Sequence, residues 1–200
     1  EKELQANRVQ NFMNYQLTEQ MPEYFDEFER MLFHLPLIGS SFKKMYYDAT
    51  IKRPKSEFIP IDQFYVSYYA TDLANADRYT HVIYRSPVEL ARDIRVGVYQ
   101  DIDLPTPSMG NMSAFSEKMD TIIGLSPSSD NDPQYILLEQ HCYLSLEAED
   151  DEALPYIVTV EQQSRQVLSI RRNYKQDDPN KEKISHFVHY RFVPGFGFYG

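Results

Sequence analysis

The chain contains 200 residues, of which 42% are hydrophobic and 25% are charged, with 30 acidic residues against 20 basic ones. This composition excludes a fibrous or intrinsically disordered class. No apolar run approaches the roughly 18 residues of a membrane-spanning helix, and the single cysteine excludes an internal disulfide. The net charge of -10 also excludes sequence-specific DNA recognition, which needs clustered Lys and Arg against phosphates. Because the chain begins at Glu1 and not at methionine, we expect it to be a fragment of a longer protein.

Residues 1–36 are predicted to form two amphipathic helices that pack against a core. The apolar residues of the first helix share one face: Val9, Phe12, Met13 and Leu17. Those of the second helix share another: Phe25, Phe28, Leu32 and Leu35. Pro22 is suited to the first turn of the second helix, and Pro36 and Gly39 are predicted to end it.

Residues 40–125 are predicted to mix strands and helices. Aromatic and β-branched residues indicate strands at residues 41–48, 58–69 and 79–85. Ser86 and Glu89 are spaced as a capping box around Pro87, which predicts a helix that continues to about Tyr99. A shorter helix is predicted at residues 114–124.

Residues 134–194 are predicted to be rich in β-strand. Runs of apolar residues between turn formers indicate four strands, at residues 135–146, 156–160, 167–172 and 184–193. A helical pair followed by mixed or antiparallel strands, with one or two inserted helices, predicts an α+β fold. We expect residues 1–200 to form a single region.

The residues that could support catalysis or metal binding favour structural roles. Cys142 follows His141, but adjacent strand residues point to opposite faces, so we predict a buried structural thiol on the apolar face of its strand. His186 and His189 are three residues apart on a predicted strand, which places them on opposite faces, with His186 towards the core. The acidic runs lack the ligand spacing and the turn glycine of a calcium loop. We therefore predict no catalytic, cofactor or metal site.

Five blocks of the sequence form a further pattern. They are LPLIGSSFKKMYYD at residues 35–48, FIPIDQFYVSYYATDLANADRYTH at 58–81, LARDIRVGVYQDIDL at 90–104, PYIVTVEQQSRQVLSIRRNYKQDD at 155–178 and FVHYRFVPGFGFYG at 187–200. In this order they resemble the portal proteins of tailed bacteriophages, particularly those of the short-tailed type. The resemblance spans nearly the whole chain and is weakest over residues 105–134.

The resemblance implies a structural role. Portal proteins form a ring, usually of twelve subunits, at one capsid vertex, and DNA passes through this ring non-specifically during genome packaging and ejection. The ring binds the terminase motor and the tail adaptor proteins. The chain would be most of the wing region of a portal protein, which is found in the virion and, during assembly, in the host cytoplasm. The resemblance implies no membrane, no cofactor and no catalytic residue, because the ATPase belongs to the terminase.

The distribution of charge indicates where neighbouring subunits could meet. Residues 101–161 hold 13 acids and one base, whereas residues 162–200 hold seven bases and three acids. In a cyclic ring, one patch meets a different patch on the neighbour. The predicted inter-subunit contacts join a basic set to an acidic set: Arg171, Arg172 and Lys175 with Glu149, Asp150 and Asp151. The same charges could instead pair within one subunit.

Two other functions are alternatives. One is a self-contained adaptor or peptide-binding module of a mobile element, which would offer strand edges to a partner. The other is a hydrolase or metal enzyme, which requires His141, His81 and an acid with a perturbed pKa to meet in a deep pocket. A portal wing should instead expose an apolar patch where its stem and its neighbours belong.

Overall fold

The computed structural model describes residues 2–109, 114–124, 132–146 and 153–192. The fold is α+β, as predicted, with helices at the N-terminus and two antiparallel sheets in these ranges. The chain divides into two compact units, one formed by Glu1–Ile61 with His186–Gly200 and the other by Asp62–Ser185. No helix in the described ranges has the length and apolar character needed to cross a membrane.

The elements follow one another in an order close to that predicted. The helices are α1 (Lys2–Tyr15), a π-helical turn (Gln16–Gln20), α2 (Tyr24–Ile38), a short 3-10 turn (Ile61–Gln63), α3 (Pro87–Val96) and α4 (Ala114–Ile123). The strands are β1 (Ser40–Asp48), β2 (Arg53–Ile59), β3 (Phe64–Val66), β4 (Tyr79–Arg85), β5 (Ser108–Met109), β6 (Pro133–Leu144), β7 (Leu154–Glu161), β8 (Val167–Arg172) and β9 (Phe187–Arg191).

The first unit packs α2 against a three-stranded sheet of order β2-β1-β9. Met31 and Leu35 are the buried residues of α2. The carboxylate of Glu27 accepts a hydrogen bond of 2.7 Å from the backbone N–H of Phe58, which ties the helix to β2. Gly39 ends the helix at a φ of 84°, a left-handed conformation that glycine adopts without strain.

The second unit is built on a sheet of order β3-β4-β6-β7-β8, with β5 pairing one end of β6. All of its pairings are antiparallel, and β3 and β8 are its edge strands. Helix α3 contributes to the core on one face of the sheet. The buried residues of that core cluster are Ile83, Leu90, Tyr99, Leu137 and Leu168.

Helix α3 begins at the predicted capping box. The Ser86 hydroxyl accepts a hydrogen bond of 3.3 Å from the N–H of Glu89, and the Glu89 carboxylate accepts one of 3.1 Å from the N–H of Ser86. The backbone hydrogen bond from Ser86 holds the pKa of Glu89 below its ordinary value. The helix ends at Gly97, two residues before the predicted end at Tyr99.

Two predicted strands are shorter than expected. The strand predicted at residues 58–69 is interrupted after β2, and a 3-10 turn separates β2 from β3. Pro60 stands at the interruption, where it has no N–H to continue a ladder of hydrogen bonds. The strand predicted at residues 184–193 is reduced to β9.

The β7–β8 hairpin turns where the sequence predicts, around a buried carboxylate. Glu161 accepts hydrogen bonds from the N–H groups of Gln163 at 3.0 Å and Ser164 at 2.6 Å. Burial raises the pKa of Glu161, but the hydrogen bonds from Ser164 and Gln163 outweigh burial and leave the pKa below its ordinary value. Arg165 then adopts a φ of 57°, in the region that favours glycine.

Replacing Arg165 with glycine is expected to raise the free energy of unfolding by about 0.5–1 kcal/mol, because glycine adopts a positive φ without steric cost. The matched control is Gln163→Gly in the same turn, where φ is not positive, and it should lower the free energy of unfolding. Urea denaturation of both variants measures the difference. If Arg165→Gly lost as much stability as the control, backbone strain at Arg165 would be contradicted.

Candidate assembly surface and buried polar cluster

Helix α1 presents apolar side chains to solvent. None of its residues is buried, and Val9, Phe12 and Met13 are each more than half exposed. Four apolar residues of α1 and of the π-helical turn after it line one open groove and are called the α1 stripe: Ala6, Val9, Met13 and Leu17. The spacing of Ala6, Val9 and Met13 places these three residues on one face of a helix with 3.6 residues per turn.

The prediction that α1 packs into a core is therefore wrong. An isolated helix of about 12–15 residues is only marginally stable in water, and most helices in proteins are stabilised by packing of their apolar face. The predicted packing face of α2 is also partly wrong, because Phe25 and Leu32 are 57% and 49% exposed. The N-terminal helices thus display apolar side chains to solvent.

The three predicted basic contact residues lie at an edge of the second sheet. Arg171 and Arg172 end the edge strand β8, Lys175 follows them, and all three are exposed. As consecutive strand residues, Arg171 and Arg172 point to opposite faces. Arg171 shares a face with Glu139, whose Oε2 lies 3.8 Å from Arg171 Nη2. The two arginines therefore do not form one patch, and Arg171 has a partner within the same chain.

The predicted acidic contact residues lie outside the described residues: Glu149, Asp150 and Asp151. The strands that precede and follow them are described, and Leu144 at the end of β6 pairs with Leu154 at the start of β7. Arg172 pairs with Tyr156, two residues along β7. Leu144 and Leu154 thus lie at the end of the sheet that carries Arg172. In sequence, these two residues flank the acidic segment.

A row of polar side chains crosses the core face of the second sheet. Cross-strand pairing aligns one buried residue from each of four strands: His81 of β4, Glu139 of β6, Thr159 of β7 and Ser169 of β8. Within the described part of the chain, the hydroxyls of Thr159 and Ser169 have no hydrogen-bond partner. Each such buried hydroxyl costs about 1–3 kcal/mol. Sequence reasoning missed this row.

His141 extends the polar row along β6, and the five residues together are called the Glu139 cluster. Nε2 of His141 lies 3.1 Å from Oε1 of Glu139, and Nδ1 lies 3.5 Å from Nδ2 of Asn173. The ring of Tyr79 stacks on the imidazole with centroids 4.8 Å apart. The structure therefore brings His81, His141 and an acid to one face, but His141 is 1% exposed and both of its nitrogens face protein groups.

Two buried tyrosines lie within electrostatic range of Glu139. Burial raises the pKa of Tyr79 to about 12, and the negative charge of Glu139 adds to the rise. Burial likewise raises the pKa of Tyr99 to about 12, again with a contribution from Glu139. Both phenols are neutral at physiological pH, so they remain able to donate hydrogen bonds.

Cys142 lies on the face of β6 opposite His141, as predicted. Burial raises the pKa of its thiol, with Arg78 opposing the rise, so the thiol is protonated at neutral pH and is a poor nucleophile. The face that carries Cys142 is only half-buried, however, and the core face is the one with Leu137 and Glu139. The prediction of a buried cysteine is therefore wrong, because Cys142 is only partly buried.

The histidines near the C-terminus also differ from the prediction. Phe187 is buried and Val188 is 46% exposed, so the core side of β9 carries His189 and not His186. The His189 ring stacks on Phe42 with centroids 4.6 Å apart. Burial lowers the pKa of His189, and Arg191 lowers it further.

A segment with no helix or strand, residues 174–185, follows β8 and is called the strap. Asn173 directly precedes the strap, and its N–H donates to the carbonyl of Pro155 in β7 at 2.9 Å. Its carbonyl accepts from the N–H of Ile184, near the end of the strap, also at 2.9 Å. Near the end of the strap, Nζ of Lys183 donates to three backbone carbonyls at 3.2–3.3 Å: those of Leu73, Ala74 and Ala76. The strap is thus fixed at its start and at its end.

No protein-family model matches the chain, and the comparison with curated proteins found no match either. Among the described residues, no group of three His, Cys, Asp or Glu residues is placed to hold a metal ion.

Proposed function

We propose that this protein is a subunit of a bacteriophage portal ring at the capsid vertex, and that its role is structural. The observation that carries the proposal is the α1 stripe, an apolar helix face that the subunit leaves exposed. A ring subunit needs surfaces of this kind because its neighbours cover them. The five sequence blocks that resemble portal proteins support this kind of ring in particular.

The charges of the chain suit a conduit. DNA carries a dense negative charge, and a protein holds it by neutralising phosphates with Lys and Arg. With a net charge of -10, the subunit offers little such attraction, so DNA can move past it during packaging and ejection. In this proposal the ring is a passage for DNA and a platform for the terminase and the tail adaptors.

The ring also needs a second patch that differs from the α1 stripe, since cyclic contacts are heterologous. The basic residues at the end of the second sheet are candidates: Arg171, Arg172 and Lys175. Because Arg171 already faces Glu139 in its own subunit, we expect Arg172 and Lys175 to contribute most of the contact.

Reversing these three charges in the full-length protein tests the second patch. We expect the triple variant R171E, R172E and K175E to assemble poorly at low salt and to recover partly at high salt, because salt screens the new repulsion. A matched control reverses three other exposed bases: R92E, R95E and K118E. Light scattering across a salt series measures assembly, and equal assembly of both variants at every salt concentration would remove this patch from the proposal.

A further inference from the structure

The orientation of the Asn173 side chain is fixed by its contacts. Its Nδ2 lies 3.1 Å from the carbonyl oxygen of Ile184, which can only accept a hydrogen bond. The atom at that position is therefore the amide nitrogen and not the amide oxygen. The same nitrogen lies 3.5 Å from Nδ1 of His141, so it presents a donor to the ring.

The contacts of the ring nitrogens of His141 with Glu139 and Asn173 indicate which nitrogen carries the proton. A donor faces Nδ1, so Nδ1 must accept and has no proton. Glu139 faces Nε2 at 3.1 Å, and a carboxylate accepts hydrogen bonds, so Nε2 carries the proton. The geometry thus describes a neutral imidazole in the Nε2–H form.

We propose that the neutral form of His141 docks the strap and that uptake of a second proton at Nδ1 releases it. A proton on Nδ1 would face the N–H of Asn173, so two donors would oppose each other. Asn173 cannot turn its amide to accept this proton without placing its oxygen against the carbonyl of Ile184. Since the carbonyl of Asn173 also accepts from the N–H of Ile184, displacement of Asn173 releases the strap between Asn173 and its remaining anchor at Lys183.

The groups around His141 act in opposite directions on a second proton. Glu139 attracts it, but Arg171 already lies 3.8 Å from Glu139 and shares that negative charge. Burial of the ring at 1% exposure disfavours a cation. Five other titratable groups face the ring or its partners. Tyr79 and His81 come from β4, and Tyr143 comes from β6. Tyr99 comes from the segment after α3, and Lys183 comes from the strap.

Hydrogen exchange of the strap amides, in the intact chain from pH 7.5 to 5.5, tests the proposal. An exposed histidine has a pKa of about 6.5, and a docked state that excludes the proton loses stability as the pH falls below that value. After correction for intrinsic exchange, we expect the equilibrium constant for opening of residues 174–185 to increase as the pH falls below about 6.5. The increase should approach about tenfold per pH unit. An opening equilibrium that does not change with pH would overturn the proposal. An opening equilibrium that decreases in acid, because an imidazolium binds Glu139 more tightly, would overturn it as well.

Two variants assign the effect to His141. Glutamine can donate to Glu139 and accept from Asn173 but does not titrate, so His141→Gln should keep the strap docked at every pH in the range. His189→Gln, in the other unit, should respond as the wild type does. The proposal would be contradicted if the pH dependence of strap opening persisted in His141→Gln or disappeared in His81→Gln.

The wild-type protein provides a test that requires no variant. Nitrogen-15 spectra of the imidazoles report which nitrogen carries the proton. We expect the Nε2–H form for His141 at pH 7.5. A proton on Nδ1 at that pH would overturn the assignment even if the glutamine variant failed to fold.

Discussion

Replacing Met13 with glutamate is expected to abolish assembly of the proposed ring and to leave the 200-residue chain almost as stable as before. Met13 is 54% exposed in the subunit, so the change in the free energy of unfolding should stay within about 0.5 kcal/mol. In the ring, the new carboxylate would enter an apolar contact without a partner, which costs several kcal/mol at every interface. Native mass spectrometry measures assembly, and urea denaturation measures stability.

The matched control for this variant is Asn7→Glu. It adds the same charge to α1, about 120° around the helix from Met13 at 100° per residue. We expect the control to assemble. Normal rings from Met13→Glu, or a large loss of stability in the isolated variant, would contradict the role given to the α1 stripe.

Replacing Lys183 with methionine is expected to lower the free energy of unfolding by about 1–3 kcal/mol. The ammonium group donates to three backbone carbonyls at 3.2–3.3 Å and lies 5.3 Å from the centroid of the Tyr79 ring. Methionine fills similar space but cannot donate, so the carbonyls lose a charged donor. Lys175→Met, at an exposed position of the same strap, is the control and should change the stability by less than about 0.5 kcal/mol.

The Lys183 variant also has a defined dependence on pH. Burial lowers the pKa of Lys183 below its ordinary value of 10.5, and the negative charges of Asp77 and Asp72 oppose this effect. The unfolded chain therefore binds more protons than the folded chain in alkaline solution, so the wild type gains stability as the pH rises towards 10.5. We expect the deficit of Lys183→Met to widen over this range in urea titrations. A deficit that narrows would contradict the lowered pKa, because it would mean that the contacts of the ammonium group outweigh its burial.

The parts of the fold that follow from local chemistry were predictable. The hydroxyl of Ser86 and the carboxylate of Glu89 determine where α3 begins, and Gly39 determines where α2 ends. The β7–β8 hairpin lies where polar residues separate two apolar runs. In each case, neighbours in sequence supply the interactions that form the element.

The parts that depend on distant residues were not predictable in the same way. The apolar face of α1 has the pattern of a packed helix, and no local signal shows that the subunit leaves this face exposed. In β6, apolar residues occupy the half-buried face, whereas the core face includes Glu139 and His141, which satisfy each other at 3.1 Å. Hydrophobicity alone therefore selects the wrong face.

The candidate contact residues show a similar limit. The charge pattern identifies Arg171 and Arg172 as a pair, but the alternation of strand residues separates them onto two faces. A signal for the Glu139 cluster does exist, since Leu137, Glu139 and His141 recur with the period of a strand. Its meaning depends on the register with His81 in β4, which only the folded sheet provides.

The mass of the assembled full-length protein, determined by native mass spectrometry, tests membership of a portal ring most directly. We expect one closed ring of identical subunits, with twelve as the usual number for portal proteins, formed through heterologous contacts. A protein that stays monomeric at high concentration, or that closes as a twofold dimer, would contradict the proposed function.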